Sequence, residues 1–283
     1  MLDKITELYF QVKKLSFLLK ENLLYNLSNK KKIKILFSKA PVQEKNLRKG
    51  LRFTDVALDF NDFTVENIQK NDLIIPLTIP DLKYLHEVDG AITKNKIPIP
   101  SLESINICDD KYVFYQTLKK KGYEFLLPKI DSPLQLSYPY ILKKKIGERG
   151  DDNYIISDTA TEAKYKDLIE SPEFFCQEMV LGKKEYATHI LFQEKKIIAS
   201  LNVEYIFGNT VPIKGQDKVA SRRIVPFPYQ DIFTEILISI GFEGICCFNY
   251  KEKDGKPLII EINPRFGASL SLYFIAFLRK LHQ

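Results

Sequence analysis

The stretch that most constrains this chain runs from Gly244 to Gly267, where two β-rich segments meet at Asp254-Gly255, with Asn249 on the first and Glu261 and Asn263 on the second. Asp-Gly between such segments signals a hairpin. A two-residue loop at Asp254-Gly255 pairs Phe248 with Glu261 and mixes the faces. A three-residue loop, Lys253-Asp254-Gly255 with Gly255 left-handed, gathers Asn249, Glu261 and Asn263 on one face and Phe248, Leu258, Ile260 and Ile262 on the other. That separation favours the three-residue loop. One side then feeds a core, and the other presents a row of oxygen-bearing side chains.

Hard divalent cations take carboxylate and amide oxygens, and Mg2+ keeps few protein ligands because phosphates and waters supply the rest. Glu261 and Asn263 suit that task, with Asn249 beside them. Arg265, beyond a chain-stiffening proline, lies near any anion held there. The competing reading is a solvated polar face.

Tyr138 to Gly150 reads as a strand, a lysine cluster and a loop carrying Gly147 and Gly150. Glycines admit backbone N–H groups to phosphate oxygens, and a lysine adds a point charge. Solvated lysines explain the same pattern. Phe174 to Tyr186 reads as an apolar strand reaching Glu178, a turn at Gly182, and Glu185 opening the next strand. Such a linker offers backbone groups to an adenine edge and Glu185 to ribose hydroxyls, although a plain hairpin fits equally.

Around these motifs, Leu2, Ile5, Leu8, Tyr9, Val12, Leu15, Leu19 and Leu23 recur at helical spacing within residues 1–29. This amphipathic helix is expected to dock on the body, with a second subunit or a membrane surface as alternatives. After Lys30-Lys31-Lys32, strands at 33–37 and 72–77 predict a small α/β lobe. Ile97 to Pro100 reads as extended, and Asp109 or Asp110 as the cap of a helix over 111–120. From Tyr138 onward strands dominate, at 140–146, 174–179, 186–192, 196–203, 245–250 and 258–262, with helices at 161–170 and 230–240. The second half reads as α+β on antiparallel sheet.

The 42 basic residues face 36 acidic ones, a net charge of +6 that implies a basic pocket as readily as a basic surface and does not imply nucleic acid. Cys108, Cys176, Cys246 and Cys247 show no CxxC spacing, and His86, His189 and His282 stand far apart, so zinc is not expected. No apolar run near the N-terminus is long enough for a signal peptide or a membrane span. The cytoplasm is the expected compartment.

In order and spacing, the three motif clusters resemble the ATP-grasp superfamily, most strongly at Glu261-Ile-Asn-Pro-Arg265. The resemblance implies an α/β and α+β fold with ATP bound between two α+β lobes. It divides the chain into the helix at 1–32, a pre-ATP-grasp lobe at 33–108 and an ATP-grasp domain at 109–283, whose lid spans about 125–178 and whose C-terminal lobe spans about 179–283.

By the same resemblance, Lys111 and Lys143 bind nucleotide phosphates and Gly147 to Gly150 is the loop above them. Glu178 and Leu181 give backbone hydrogen bonds to adenine, and Glu185 meets the ribose. Asn249, Glu261 and Asn263 hold Mg2+ or Mn2+, with Asn249 standing where many relatives carry an acid. Arg265 steadies the reacting carboxylate or acyl phosphate. Arg222, in preference to Arg223, supplies a basic contact from the segment 218–225.

The implied activity is an ATP-dependent carboxylate-amine ligase passing through an acyl phosphate, with small-molecule carboxylate and amine substrates. A small-molecule kinase and a non-catalytic nucleotide-binding subunit are the alternatives. Pairing of the N-terminal helices would make a homodimer.

Overall fold

The computed structural model describes residues 2–28, 32–88, 98–147 and 150–281. Lys30, Lys31, Ile97, His282 and the middle of the glycine loop, Glu148-Arg149, lie outside the described residues.

Helix α1 (Leu2–Ser28) leads into a parallel sheet ordered β2-β1-β3, with β1 Ile33–Phe37, β2 Val56–Phe60 and β3 Leu73–Ile75. β1 is the middle strand, and apart from Lys34 its residues are buried. Among the described residues, helices α2 (Pro41–Gly50), α3 (Val65–Gln69) and α4 (Ile79–Glu87) alternate with or follow its strands, and α5 (Leu102–Asp109) comes next and contacts α4 and the last strand of the chain. Thr64, Thr78 and Ser101 start the last three by accepting backbone N–H groups of the first turn. Asp110 does the same for α6 (Lys111–Lys120), accepting from Tyr112 at 2.8 Å and Val113 at 3.0 Å. This cap fixes where Lys111 begins.

A second sheet, antiparallel, is ordered β5-β4-β6, with β4 Tyr140–Lys144, β5 Asn153–Ile156 and β6 Phe174–Glu178. The helix expected over 161–170 is two short ones, α7 (Thr159–Lys164) and α8 (Lys166–Ile169), divided at Tyr165.

The third sheet is antiparallel and ordered β11-β10-β7-β8-β9, with β7 Lys184–Gln193, β8 Lys196–Phe207, β9 Val219–Val225, β10 Gly244–Lys253 and β11 Lys256–Asn263. One face packs on α9 (Gln230–Ser239), where the rings of Phe233 and Phe248 stack with centroids 4.1 Å apart. The other joins α10 (Ile275–Leu281), the turn before it and β1 in a core containing Phe37, Val203, Phe266 and Phe274.

Two expectations are corrected. The hairpin tip is a two-residue loop: Lys253 pairs with Lys256, and Asp254 and Gly255 have φ of 52° and 72°. The face separation comes instead from a bulge, because Tyr250 pairs with Ile259 while Asn249 pairs with Glu261, leaving Ile260 as the extra residue. Asn249, Glu261 and Asn263 therefore do share a face, and Ile259, rather than Leu258 or Ile260, enters the core with Phe248 and Ile262.

In α1, the predicted stripe is not the docked face. Tyr9, Val12, Leu15, Leu19 and Leu23 are exposed, while Leu18, Glu21, Asn22 and Tyr25 are buried. The docking is partly polar: Asn22 Nδ2 donates to Gly50 O at 3.1 Å, and Glu21 pairs with Arg279 at 3.2 Å. Hydrophobic periodicity cannot see a face held by an amide and an ion pair.

Candidate active site

A cavity of about 800 Å³ opens against the β10-β11 face and receives side chains from β4, β6, β7 and β9. Strand alternation explains its wall. On β10, Cys247, Asn249 and Lys251 point to the cavity, and Phe248 and Tyr250 point away into the core. On β11, the bulge turns Ile260 to the same wall as Glu261 and Asn263.

Glu261 is the electrostatic centre. Its Oε1 accepts from Asn249 Nδ2 at 2.6 Å and from Asn263 Nδ2 at 2.9 Å, and its Oε2 lies 3.7 Å from Lys111 Nζ. Burial pushes this carboxyl up, but Lys111, the two amides and Lys143 outweigh it and bring it down to about 2. Glu261 is therefore ionised at neutral pH.

Lys111 Nζ also donates to Gly147 O at 2.8 Å, tying the start of α6 to the glycine loop. Lys143, central in its sheet and buried, donates to Gln177 Oε1 at 2.7 Å. Burial is the largest influence on its ammonium and takes it down to about 8.

The loop between β8 and β9 contributes a residue with no sequence signal. Lys214 donates to Asn249 Oδ1 at 2.6 Å, lies 3.2 Å from Glu185 Oε1, and sits 4.7 Å from the Tyr205 ring centre. Burial lowers its affinity for a proton, but Glu185 and the other anions outweigh that and raise it overall. Asn249 thus accepts from Lys214 while donating to Glu261. A carboxylate could not donate, and would set two anions in contact.

The remaining predicted residues divide. Glu178, Glu185, Gly150, Arg222 and Arg265 all line the cavity with Lys111, Lys143 and Gly147. Arg222 stacks over Tyr205 at 5.0 Å, whereas Arg223 turns to the other face and pairs with Glu204. Leu181 is exposed and off the lining, and its neighbours Met179 and Val180 form the wall. The Glu178 backbone N–H is taken by Lys129 O at 2.7 Å. Lys251, missed from sequence, donates to Val180 O at 2.8 Å and Gly182 O at 3.1 Å and so fixes the linker between β6 and β7. Its parity with Asn249 on one strand was a usable signal; Lys214 offered none.

A lysine-rich cavity against a strand-borne carboxylate, flanked by antiparallel sheets, is an α+β arrangement suited to an anionic ligand. A family model described as the ATP-grasp domain matches residues 108–269, and the chain belongs to the ATP-grasp family. The carbamoyl phosphate synthase large chain of Thermotoga neapolitana is 26% identical over 191 residues, which is 60% of this chain and 17% of that one. Among solved structures, the D-alanine–D-alanine ligase of Bacillus anthracis shares 12% identity at a TM-score of 0.58, covering 89% of this chain and 97% of that one. The N5-carboxyaminoimidazole synthetase of Staphylococcus aureus, complexed with ADP, shares 18% at 0.62, covering 90% and 79%. These structural likenesses establish the fold. Among the described residues no helix is long and apolar enough to cross a membrane.

Proposed function

We propose that this chain is an ATP- and Mg2+-dependent ligase that joins a carboxylate to an amine, releasing ADP and phosphate. The observation that carries the reading is Glu261, ionised and half-enclosed between Lys111 and Lys143 at the wall of a cavity large enough for a nucleotide. In this reading the chain divides into a lobe at 33–108 and an ATP-grasp domain at 109–283, and the family match over 108–269 supports the start of the second.

The nucleotide lies with its phosphates between Lys111, Lys143, Gly147 and Gly150, its adenine along Glu178 to Val180, and its ribose at Glu185. The donor set fits a Mg2+ that arrives with the phosphates: Glu261 offers an anionic oxygen and Asn263 an amide oxygen, with Asn249 adjacent, leaving positions for phosphate and water. A Mg2+ held by these residues would supply Lewis-acid neutralisation of phosphate charge. Lys214, held between Asn249 and Glu185 on the same wall, adds a further cation for the phosphates.

The substrate carboxylate attacks the γ-phosphate in line, ADP leaves, and the amine displaces phosphate from the acyl phosphate to form an amide. Little covalent help is required of the protein; holding the reactants in line is worth about 7–11 kcal/mol in favourable cases. Arg265 and Arg222 steady the anionic carboxyl end.

The test is a screen of carboxylate and amine pairs for ADP release with Mg2+, with hydroxylamine as a trap. Hydroxamate formation supports the ligase; ADP release with a phosphorylated hydroxyl product and no hydroxamate replaces it with a kinase. ATP binding without turnover across the panel replaces it with a nucleotide-binding subunit.

A further inference from the structure

His189 lies on β7 with no solvent exposure, and its Nε2 stands 2.7 Å from Ser269 Oγ. Its Nδ1 is buried without a hydrogen-bond partner. A Cβ on Gly267 would come within 2.5 Å of the imidazole Cε1 and 2.9 Å of Nδ1, so the Gly267–Ser269 turn closes directly over the ring and only glycine fits. Burial, with the charge of Lys214, pushes the imidazole down to about 3 and keeps it neutral.

A neutral imidazole carries one proton. Placed on Nδ1 it would be an orphaned buried N–H, the rarer and costlier defect; placed on Nε2 it is donated to Ser269 and Nδ1 keeps only a lone pair. In the second tautomer Ser269 Oγ is the acceptor, and its own proton is left to donate. Ser269 lines the cavity beside Arg265, Gly267 and Ala268, a stretch without an acidic side chain. A hydroxyl donor beside a guanidinium recognises an anionic oxygen.

We infer that His189 is a positioning residue that sets Ser269 as a hydroxyl donor, and that the pair selects a carboxylate-bearing substrate at the Arg265 end of the cavity. The assignment rests on the ligase reading for what the bound carboxylate is used for, and on the geometry of the pair for the recognition itself.

Two measurements on the full chain test it. Nitrogen-15 NMR at pH 7, with the His189 signals assigned by their loss in His189→Gln, is expected to show the Nε2–H tautomer; the Nδ1–H tautomer overturns the proposal. Binding of glycine, L-alanine and D-alanine and of their amides, measured with and without MgADP, is expected to favour the acid over its amide in at least one pair. Ser269→Ala is expected to weaken that acid about 10- to 100-fold, and His189→Leu to do likewise, while His189→Gln, which keeps an N–H at the ε position, retains most of the preference. MgADP affinity is unchanged in all three variants. Equal binding of every acid and amide, or an undiminished preference in the conservative Ser269→Ala, overturns the proposal. Failure of MgADP to bind the wild type instead removes the nucleotide reading, and the tautomer and the acid preference without nucleotide still decide this one.

Discussion

The two faces of the five-stranded sheet each carry a polar network, anchored on neighbouring strand residues and completed by a loop residue, Lys214 on one face and Tyr229 on the other. On the cavity face, Glu185, Lys214, Asn249 and Glu261 are linked and border open volume. On the opposite face, Glu204 is held by Arg223 and by Lys184 at 3.1 Å, and Tyr186 and Tyr229 each donate to Glu252 at 2.9 Å. Thr188, Asn202 and the Tyr250 hydroxyl continue that second network under the aromatic core. None of its members lines the cavity. Both faces bury charge, and only one pairs it beside a space that a ligand can enter. A buried ion pair alone is therefore no sign of a site.

The largest effect that separates the faces is expected from Glu261→Gln, which keeps volume and removes the anion. Substrate-dependent ADP formation should fall about 100- to 1,000-fold, the range seen when one charge-stabilising group is lost from an active site. A wild-type rate would put the metal elsewhere.

Next comes Lys143. Its ammonium is charged below its value of about 8 and loses its proton as pH rises through it. ATP affinity should therefore be full near pH 7 and decline above pH 8 in direct titrations. Lys143→Met should weaken ATP about 10-fold or more at pH 7 and flatten the profile, since an ion-paired phosphate contact is worth about 1.5–3 kcal/mol. A profile unchanged in the variant would assign the titration to another group.

Glu204→Ala tests the closed face. It should cost about 1–3 kcal/mol of stability, because Arg223 and Lys184 lose their buried carboxylate partner, and lower the thermal midpoint by several degrees. ATP affinity should stay within about two-fold. Burial pushes the Glu204 carboxyl up, but Arg223 and Lys184 outweigh it and bring it down overall. Its contribution is thus present at neutral pH and lost as pH falls below the ordinary carboxylate range. Loss of ATP binding in this variant would erase the distinction between the two faces.

The smallest effect is expected from Asn249→Asp. Without metal it should destabilise by about 1 kcal/mol through the lost donor to Glu261, and Mg2+ should restore the difference in calorimetry. Destabilisation that Mg2+ leaves untouched would make residue 249 a structural amide only.

Much of this contrast was legible in the sequence. Alternation placed Asn249, Glu261 and Asn263 on one face even though the device is a bulge at Ile260 rather than a longer loop, because the polar pattern constrains the face and not the position of the extra residue. The cap, narrowed to Asp109 or Asp110 and found at Asp110, and the strand at 33–37 were readable for similar local reasons. Lys214 was not: it reaches Asn249 from a loop 35 residues away, and no local pattern encodes that approach. The His189–Ser269 pair spans 80 residues and was equally invisible. In α1 the leucine stripe pointed to the wrong face, because the docked face mixes Leu18 and Tyr25 with the polar contacts of Asn22 and Glu21.

The central claim is that Glu261, with Lys111 and Lys143 beside it, receives a magnesium nucleotide. Calorimetric titration of ATP into the wild type and Glu261→Gln, with and without Mg2+, addresses it directly. One saturable site whose affinity rises with Mg2+ in the wild type, and not in the variant, is the predicted result. An affinity indifferent to Mg2+ in the wild type, or an equal Mg2+ enhancement in both, would contradict the account.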